Sequence, residues 1–154
     1  MAKSFAIEDY FKGQTFGAVC ISSNAKQVVY VLQEVALDQN RRRSNLFLAD
    51  VETGRSFQLT NGAGKNDSPC WSPNGEWLAF LSDRPDPKRK FGDRSRAQIW
   101  LIRPDGGEAE CLTRSKSAVS GFKWSPEATP SLSLRCSTAK KRVIIRIYVA
   151  PRLF

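Results

Sequence analysis

An all-β fold, built from a four-stranded antiparallel unit that occurs twice and begins a third time, follows from three observations on this 154-residue chain. The phrase CWSPNGEWLAFLS at 70–82 starts again at 123–134 as KWSPEATPSLSL and then loses its pattern. Three landmarks recur at one spacing: Leu59-Thr60 and Leu112-Thr113, Gly54 and Gly107, and Trp71 and Trp124 each lie 53 residues apart. The apolar runs between them, VVYVL at 28–32 and WLAFL at 77–81, are short and rich in β-branched or aromatic residues, which suits strands covered on both faces rather than helices.

Each element can be justified in order. The first unit has strands near 17–22 and 27–33, joined at Ser23-Asn24-Ala25, where the second unit has Pro73-Asn74-Gly75. A loop holding Arg41, Arg42 and Arg43 leads to strands near 44–50 and 55–60. The second unit repeats this with strands near 67–72, 76–82, 97–103 and 108–113. Pro73-Asn74-Gly75 and Pro104-Asp105-Gly106 are turn chemistry, because proline presets φ and the Asn-Gly and Asp-Gly pairs tolerate positive φ, so each joins two antiparallel strands. A ninth strand starts near 119. Four meandering strands per repeat of about 50 residues make one propeller blade. The expected organisation is a lead-in over 1–16 with a short helix at 8–11, blade 1 over 17–60, blade 2 over 67–113, the start of blade 3 over 118–127, and a basic tail over 128–154. The recurring tryptophans Trp71, Trp77, Trp100 and Trp124 read as glue between sheets rather than as a ligand platform.

Composition narrows the function classes. The apolar content of 41% is that of a globular chain, and no run approaches the roughly 20 apolar residues of a membrane helix. A soluble, cytoplasmic protein with no membrane partner is expected. The net charge of +9 is uneven: residues 128–154 carry six cations and no acid, leaving the rest at only +3. Arg41–Arg43 and the PDPKRKFGDRSR stretch at 85–96, where Asp86 and Asp93 interrupt the cations, read as solvated loops rather than as a nucleic-acid footprint.

The residues argue against catalysis and metal binding. Cys20, Cys70, Cys111 and Cys136 show no knuckle spacing and read as reduced, packed thiols. The chain has no histidine, which removes the usual general base of a hydrolase, and no G-x-S-x-G turn. In NGAGKN at 61–66 a phosphate loop would need glycine at Leu59 and Ser or Thr at Asn66, so this too reads as a solvated loop. No catalytic, cofactor-binding or metal-binding residue is assigned, and no cofactor is expected.

Residues 68–84 and 98–113 read SPCWSPNGEWLAFLSDR and QIWLIRPDGGEAECLT. In the pattern W-S-P-D/N-G, an apolar triplet, S-D-R, I-W, D-G-G-E and L-T, the chain resembles the blade repeat of TolB and of serine peptidases of the prolyl-oligopeptidase and acylaminoacyl-peptidase family. The resemblance covers about residues 7–126. It implies the first two blades and opening strand of an amino-terminal propeller that, in that family, caps an α/β-hydrolase domain and filters peptide substrates by size. Ser, Asp and His of the catalytic domain have no counterpart here, so the chain is expected to be a non-catalytic fragment. Its peptide partners would then exist only in the context of the complete enzyme. A TolB-like protein-interaction module is the alternative, and a small basic nucleic-acid binder a third reading. Two blades leave open faces, so a marginal, self-associating chain is expected.

The loss of the third repeat is read as a loss of reading frame after Glu127. With one base restored there, codons compatible with residues 128–133 can spell G-D-S-I-A-F, completing W-S-P-E-G-D-S-I-A-F as a third copy of the motif. The tail 128–154 is then an unselected, frameshifted sequence and is expected to be disordered or misfolded. Sequencing the gene decides this: a restored frame that does not continue the blade pattern overturns it.

Overall fold

The turn between the first two strands of each unit is tied by side chains at the same two positions. Ser72 Oγ donates to Asn74 Oδ1 (2.7 Å) and accepts from the Trp77 N–H (3.0 Å). Ser22 Oγ donates to Asn24 Oδ1 (2.8 Å) and accepts from the Gln27 N–H (2.9 Å). The third turn residue needs a left-handed backbone, which Gly75 adopts freely at φ 73° and Ala25 adopts at φ 57°. The first hairpin therefore forms as its sequence leads one to expect, but its alanine costs about 1 kcal/mol that glycine would not.

The structure is a computed structural model that describes residues 13–36, 41–62, 64–88, 96–125, 131–138 and 142–148. The segments 8–11 and 126–130, with Glu127, lie outside the described residues. Eleven strands occur among the described residues: β1 (Thr15–Ile21), β2 (Gln27–Ala36), β3 (Arg41–Asp50), β4 (Ser56–Gln58), β5 (Asn66–Trp71), β6 (Leu78–Ser82), β7 (Gln98–Ile102), β8 (Glu110–Cys111), β9 (Val119–Trp124), β10 (Ser131–Thr138) and β11 (Arg142–Tyr148). They form three antiparallel sheets in the orders β1-β2-β3-β4, β5-β6-β7-β8 and β11-β10-β9. The first two are the expected blades. Among the described residues no helix is long and apolar enough to cross a membrane.

Both blades end with a threonine that completes the ladder. Thr60 Oγ1 accepts from the Leu46 N–H and Thr113 Oγ1 from the Ile99 N–H, each at 2.9 Å, so the hydroxyl replaces a backbone carbonyl where the outer strand stops. This gives the L-T landmark a physical reason. Both inner strands also carry a register shift, between Phe16 and Val19 in β1 and between Asp67 and Cys70 in β5.

Packing follows the alternation of side chains along the strands. Val29, Val31, Leu46 and Leu48 on blade 1 meet Trp71, Leu78, Phe80, Trp100 and Ile102 on blade 2 in one buried cluster. Ala79, Ile99 and Leu101 on the opposite face of blade 2 meet Val119 and Cys136 of the third sheet in a second. Blade 2 is thus covered on both sides, which is why IWLI at 99–102 is an unbroken apolar run and QIWLI is buried throughout. Among the described residues, blade 1 is covered on one side only. On its other face Phe16 is 75% and Ile21 56% exposed, and Tyr30 stacks on Phe47 with ring centroids 5.7 Å apart.

Two expectations are corrected. Arg41, Arg42 and Arg43 do not lie in a loop: they open β3, facing Ala36, Val35 and Glu34 of β2. The ladder extends because each added pair satisfies backbone groups, and Glu34 opposite Arg43 places unlike charges side by side. Within the basic tail, residues 131–138 and 142–148 form strands rather than disordered chain. SLSLRCST and RVIIRIY pair with each other and, through β10, with β9. Leu134 faces Trp124 as Leu78 faces Trp71, so a stretch with high β propensity takes the place of the missing motif.

Candidate functional site: the cleft between the first two blades

The boundary between the blades is polar at one end, and Asn66 stands at its centre. This residue, at the start of β5, is 1% exposed. Its N–H donates to Ser44 Oγ (2.9 Å), and Ser44 Oγ donates back to the Asn66 carbonyl (2.8 Å). Its amide nitrogen donates to the Ser44 carbonyl (2.7 Å) and to Asn45 Oδ1 (3.2 Å). Arg84, last residue of the S-D-R triplet, donates to Asn66 Oδ1 (2.7 Å) and to Ser82 Oγ (3.2 Å). Its guanidinium lies over the rings of Phe80 and Trp100, 5.3 and 5.2 Å from their centroids. Burial lowers the Arg84 pKa from its usual value, yet arginine keeps its charge at any physiological pH.

Beside this network opens a cleft of about 310 Å³, lined among others by Arg42, Arg43, Lys65, Asp67, Ser82 and Asp83. The fold here brings together two features that are distant in sequence, the arginine cluster and the NGAGKN loop. The loop does not form a phosphate cradle. Its Lys65 N–H donates to Asp83 Oδ1 (2.6 Å), and a side chain at Gly64 would come within 2.8 Å of the same oxygen. Three cations and two carboxylates in its lining suit a polar ligand carrying both charges better than a polyanion.

The tryptophans mark the blade boundaries. Trp71 is 6% and Trp100 4% exposed, while Trp77 and Trp124 are half-buried. The Trp71 indole N–H donates to the Cys20 carbonyl (3.4 Å), and one blade later the Trp124 indole N–H donates to the Cys70 carbonyl (3.1 Å). Arg103 covers Trp77, 4.4 Å from its ring centroid.

At the outer edge of blade 2, Asp86, with a side chain 6% exposed, pairs with Arg114 at 2.5 Å and accepts from the Lys88 N–H at 3.0 Å. Burial would raise its carboxyl pKa, but Arg114 and the Lys88 N–H outweigh it and hold the group below the ordinary value. Burial, with the adjacent Asp86 charge, pushes the Cys111 thiol up to about 11. Such a thiol is protonated at neutral pH and a poor nucleophile. Of the serines near loop glycines, Ser120 Oγ donates to the Ser137 carbonyl (3.1 Å) and Ser56 lies on exposed β4. Among the described residues no group of three or more Cys, Asp or Glu is placed to hold a metal ion. The inter-blade residues Ser44, Asn66 and Ser82 were missed in sequence; the only signal was that Ser82 opens the S-D-R of the blade pattern that the second repeat resembles.

No protein-family model matches the chain. YuxL of Bacillus subtilis, named as an uncharacterized peptidase, is 36% identical over 101 residues, covering 66% of this chain and 14% of YuxL. Dipeptidyl-peptidase 5 of Porphyromonas endodontalis is 26% identical over 111 residues, covering 72% of this chain and 15% of that protein. The chain thus matches about one-seventh of the length of these relatives. Among solved structures, the acylaminoacyl peptidase of Pyrococcus horikoshii superposes with a TM-score of 0.54 at 14% identity, over 89% of this chain and 26% of the other. A TolB from Agrobacterium tumefaciens does so at 0.50 and 20%, over 83% and 47%. Hydrazine synthase of Kuenenia stuttgartiensis reaches 0.62 at 16%, over 84% and 39%, so likeness of structure at this level speaks for the fold alone. With two repeated blades on one side and peptidase-named relatives on the other, the chain has the fold of a partial β-propeller, similar to those of TolB and of acylaminoacyl peptidase, and is similar in sequence to proteins named as peptidases.

Proposed function

We propose that this segment serves a serine peptidase of the acylaminoacyl type as a non-catalytic, substrate-gating part of its propeller. The observation that carries the reading is the coincidence of an intact inter-blade packing pattern with sequence relatives named as peptidases. The chain has no histidine to act as base, and its Cys70 and Cys111 thiols are both pushed up to about 11, chiefly by burial. Chemistry would therefore come from another part of such an enzyme. The mixed-charge cleft, with Arg42 and Lys65 near Asp67 and Asp83, offers groups for both ends of a short peptide.

Two measurements test this. The purified chain should hydrolyse neither acyl-amino-acid nor dipeptide chromogenic substrates, and turnover would refute the non-catalytic role. Residues 17–113, transplanted in place of the matching segment of YuxL, should leave hydrolysis of short peptides in place while folded proteins remain excluded. A chimera that folds but cleaves large and small substrates alike would count against gating. The second reading, a TolB-like interaction module, is supported by the Agrobacterium neighbour; it expects a chimera without peptidase activity.

A further inference from the structure

The face of blade 1 turned away from blade 2 corresponds to a face that blade 2 keeps covered. On blade 2 the cross-strand pair Phe80–Trp100, with Trp71 and Leu78, lies under the aliphatic side chains of blade 1. On blade 1 the same register positions hold the pair Tyr30–Phe47, with Ile21 and Val28. Phe16, Val19 and Ile21 stand opposite Leu32, Tyr30 and Val28, so all share this face, where they are 75%, 62% and 56% exposed. Phe16 leans on Tyr30 and Tyr30 on Phe47, with ring centroids 5.7 Å apart in both pairs, so an aromatic strip crosses three strands. At one end of the strip Glu34 of β2 stands opposite Arg43 of β3.

We propose that two copies of this chain associate through the open face of blade 1 as a closed, two-fold dimer. The pairing concerns the chain as it stands and does not depend on the gating role. A head-to-tail contact with the third sheet suits the strip poorly. The outward side of that sheet carries Lys123 and Arg135, exposed and paired across the strands, and covering them would bury two like charges. The open face of a second copy is complementary instead. A two-fold axis running along the strands between β2 and β3 lays β2 of each copy over β3 of the other. Each Tyr30 then meets the partner's Phe47, and each Glu34 meets the partner's Arg43. Four strands about 4.8 Å apart and about 20 Å long give roughly 400 Å² in plan on each copy. That is the low end for a specific contact, so dimerisation of micromolar strength is expected.

Sedimentation of the full chain from about 1 to 200 μM should show a single monomer–dimer equilibrium with no larger species. Phe16→Glu places a charge on the most exposed ring and should weaken the dimer at least about tenfold. Glu34→Arg and Arg43→Glu should each weaken it as well, because each sets like charges against one another across the axis. Mixed one to one, these two variant chains should dimerise again: the like-charged pair within each chain remains, while both contacts across the axis are restored. A chain that stays monomeric at the highest concentration, or that grows into longer oligomers, would overturn the proposal. So would a Phe16→Glu dimer as tight as the wild type, or a mixture of the two folded charge variants that stays monomeric. Where Arg43→Glu fails to fold, Phe16→Glu decides alone.

Discussion

Replacing Trp71 by alanine is expected to lower the stability of the chain by about 3–5 kcal/mol, the largest effect of any single substitution at the blade boundary. The ring is 6% exposed and packs with Val29, Val31, Leu46 and Leu48 of blade 1 as well as with Phe80 of its own blade. Truncation removes these contacts, leaves a cavity that the paired strands cannot close, and deletes the indole bond to the Cys20 carbonyl. Trp71→Phe separates the terms, because it keeps most of the apolar area and loses only a hydrogen bond worth about 1 kcal/mol. Ile21 takes the equivalent place on blade 1 but is 56% exposed, so Ile21→Ala should cost well under half as much. Urea unfolding followed by far-ultraviolet circular dichroism measures all three. An unchanged midpoint for Trp71→Ala would mean that the two blades do not hold one another.

Asn66→Ala is the second large effect, at about 2–4 kcal/mol. The substitution keeps the backbone exchange with Ser44 but removes three side-chain bonds, to the Ser44 carbonyl, to Asn45 and from Arg84. Their partners are left in a site where Asn66 is only 1% exposed, and water has little room to replace it. Asn66→Asp should be no remedy: it suits Arg84 but turns the two donated bonds into contacts between acceptors. In a double-mutant cycle, Asn66→Ala and Arg84→Ala should cost less together than the sum of the two, by about 1–2 kcal/mol, because both delete one bond. Additive losses, or a neutral Asn66→Ala, would show that the network does not join the blades.

Some of this was readable in the residues. The strand order and both turns follow from short β-type runs and from Pro-Asn-Gly and Pro-Asp-Gly, all of which act locally. The cleft was not, since its lining comes from residues as far apart as Gln33 and Ala97, and only the stacking of two sheets brings them together. Nor was the role of Asn66, which in sequence stands in a polar loop with Gly64 and Lys65. The arginine cluster was misread because a run of charge resembles solvated loop, while the ladder it joins is defined by a partner strand.

By itself the sequence determined the repeat, its strands and its turns, because hydrophobic alternation and backbone preference are properties of neighbouring residues. It also determined the absence of a histidine base. The tertiary structure alone decided which face of each blade is covered, that Trp71 and Trp124 reach back to the preceding blade, and that residues 131–138 and 142–148 build a third sheet in place of the lost motif. These are pairings between distant segments. A strand's own residues state that it will pair, but the partner and the register are settled by what the packed neighbours leave open.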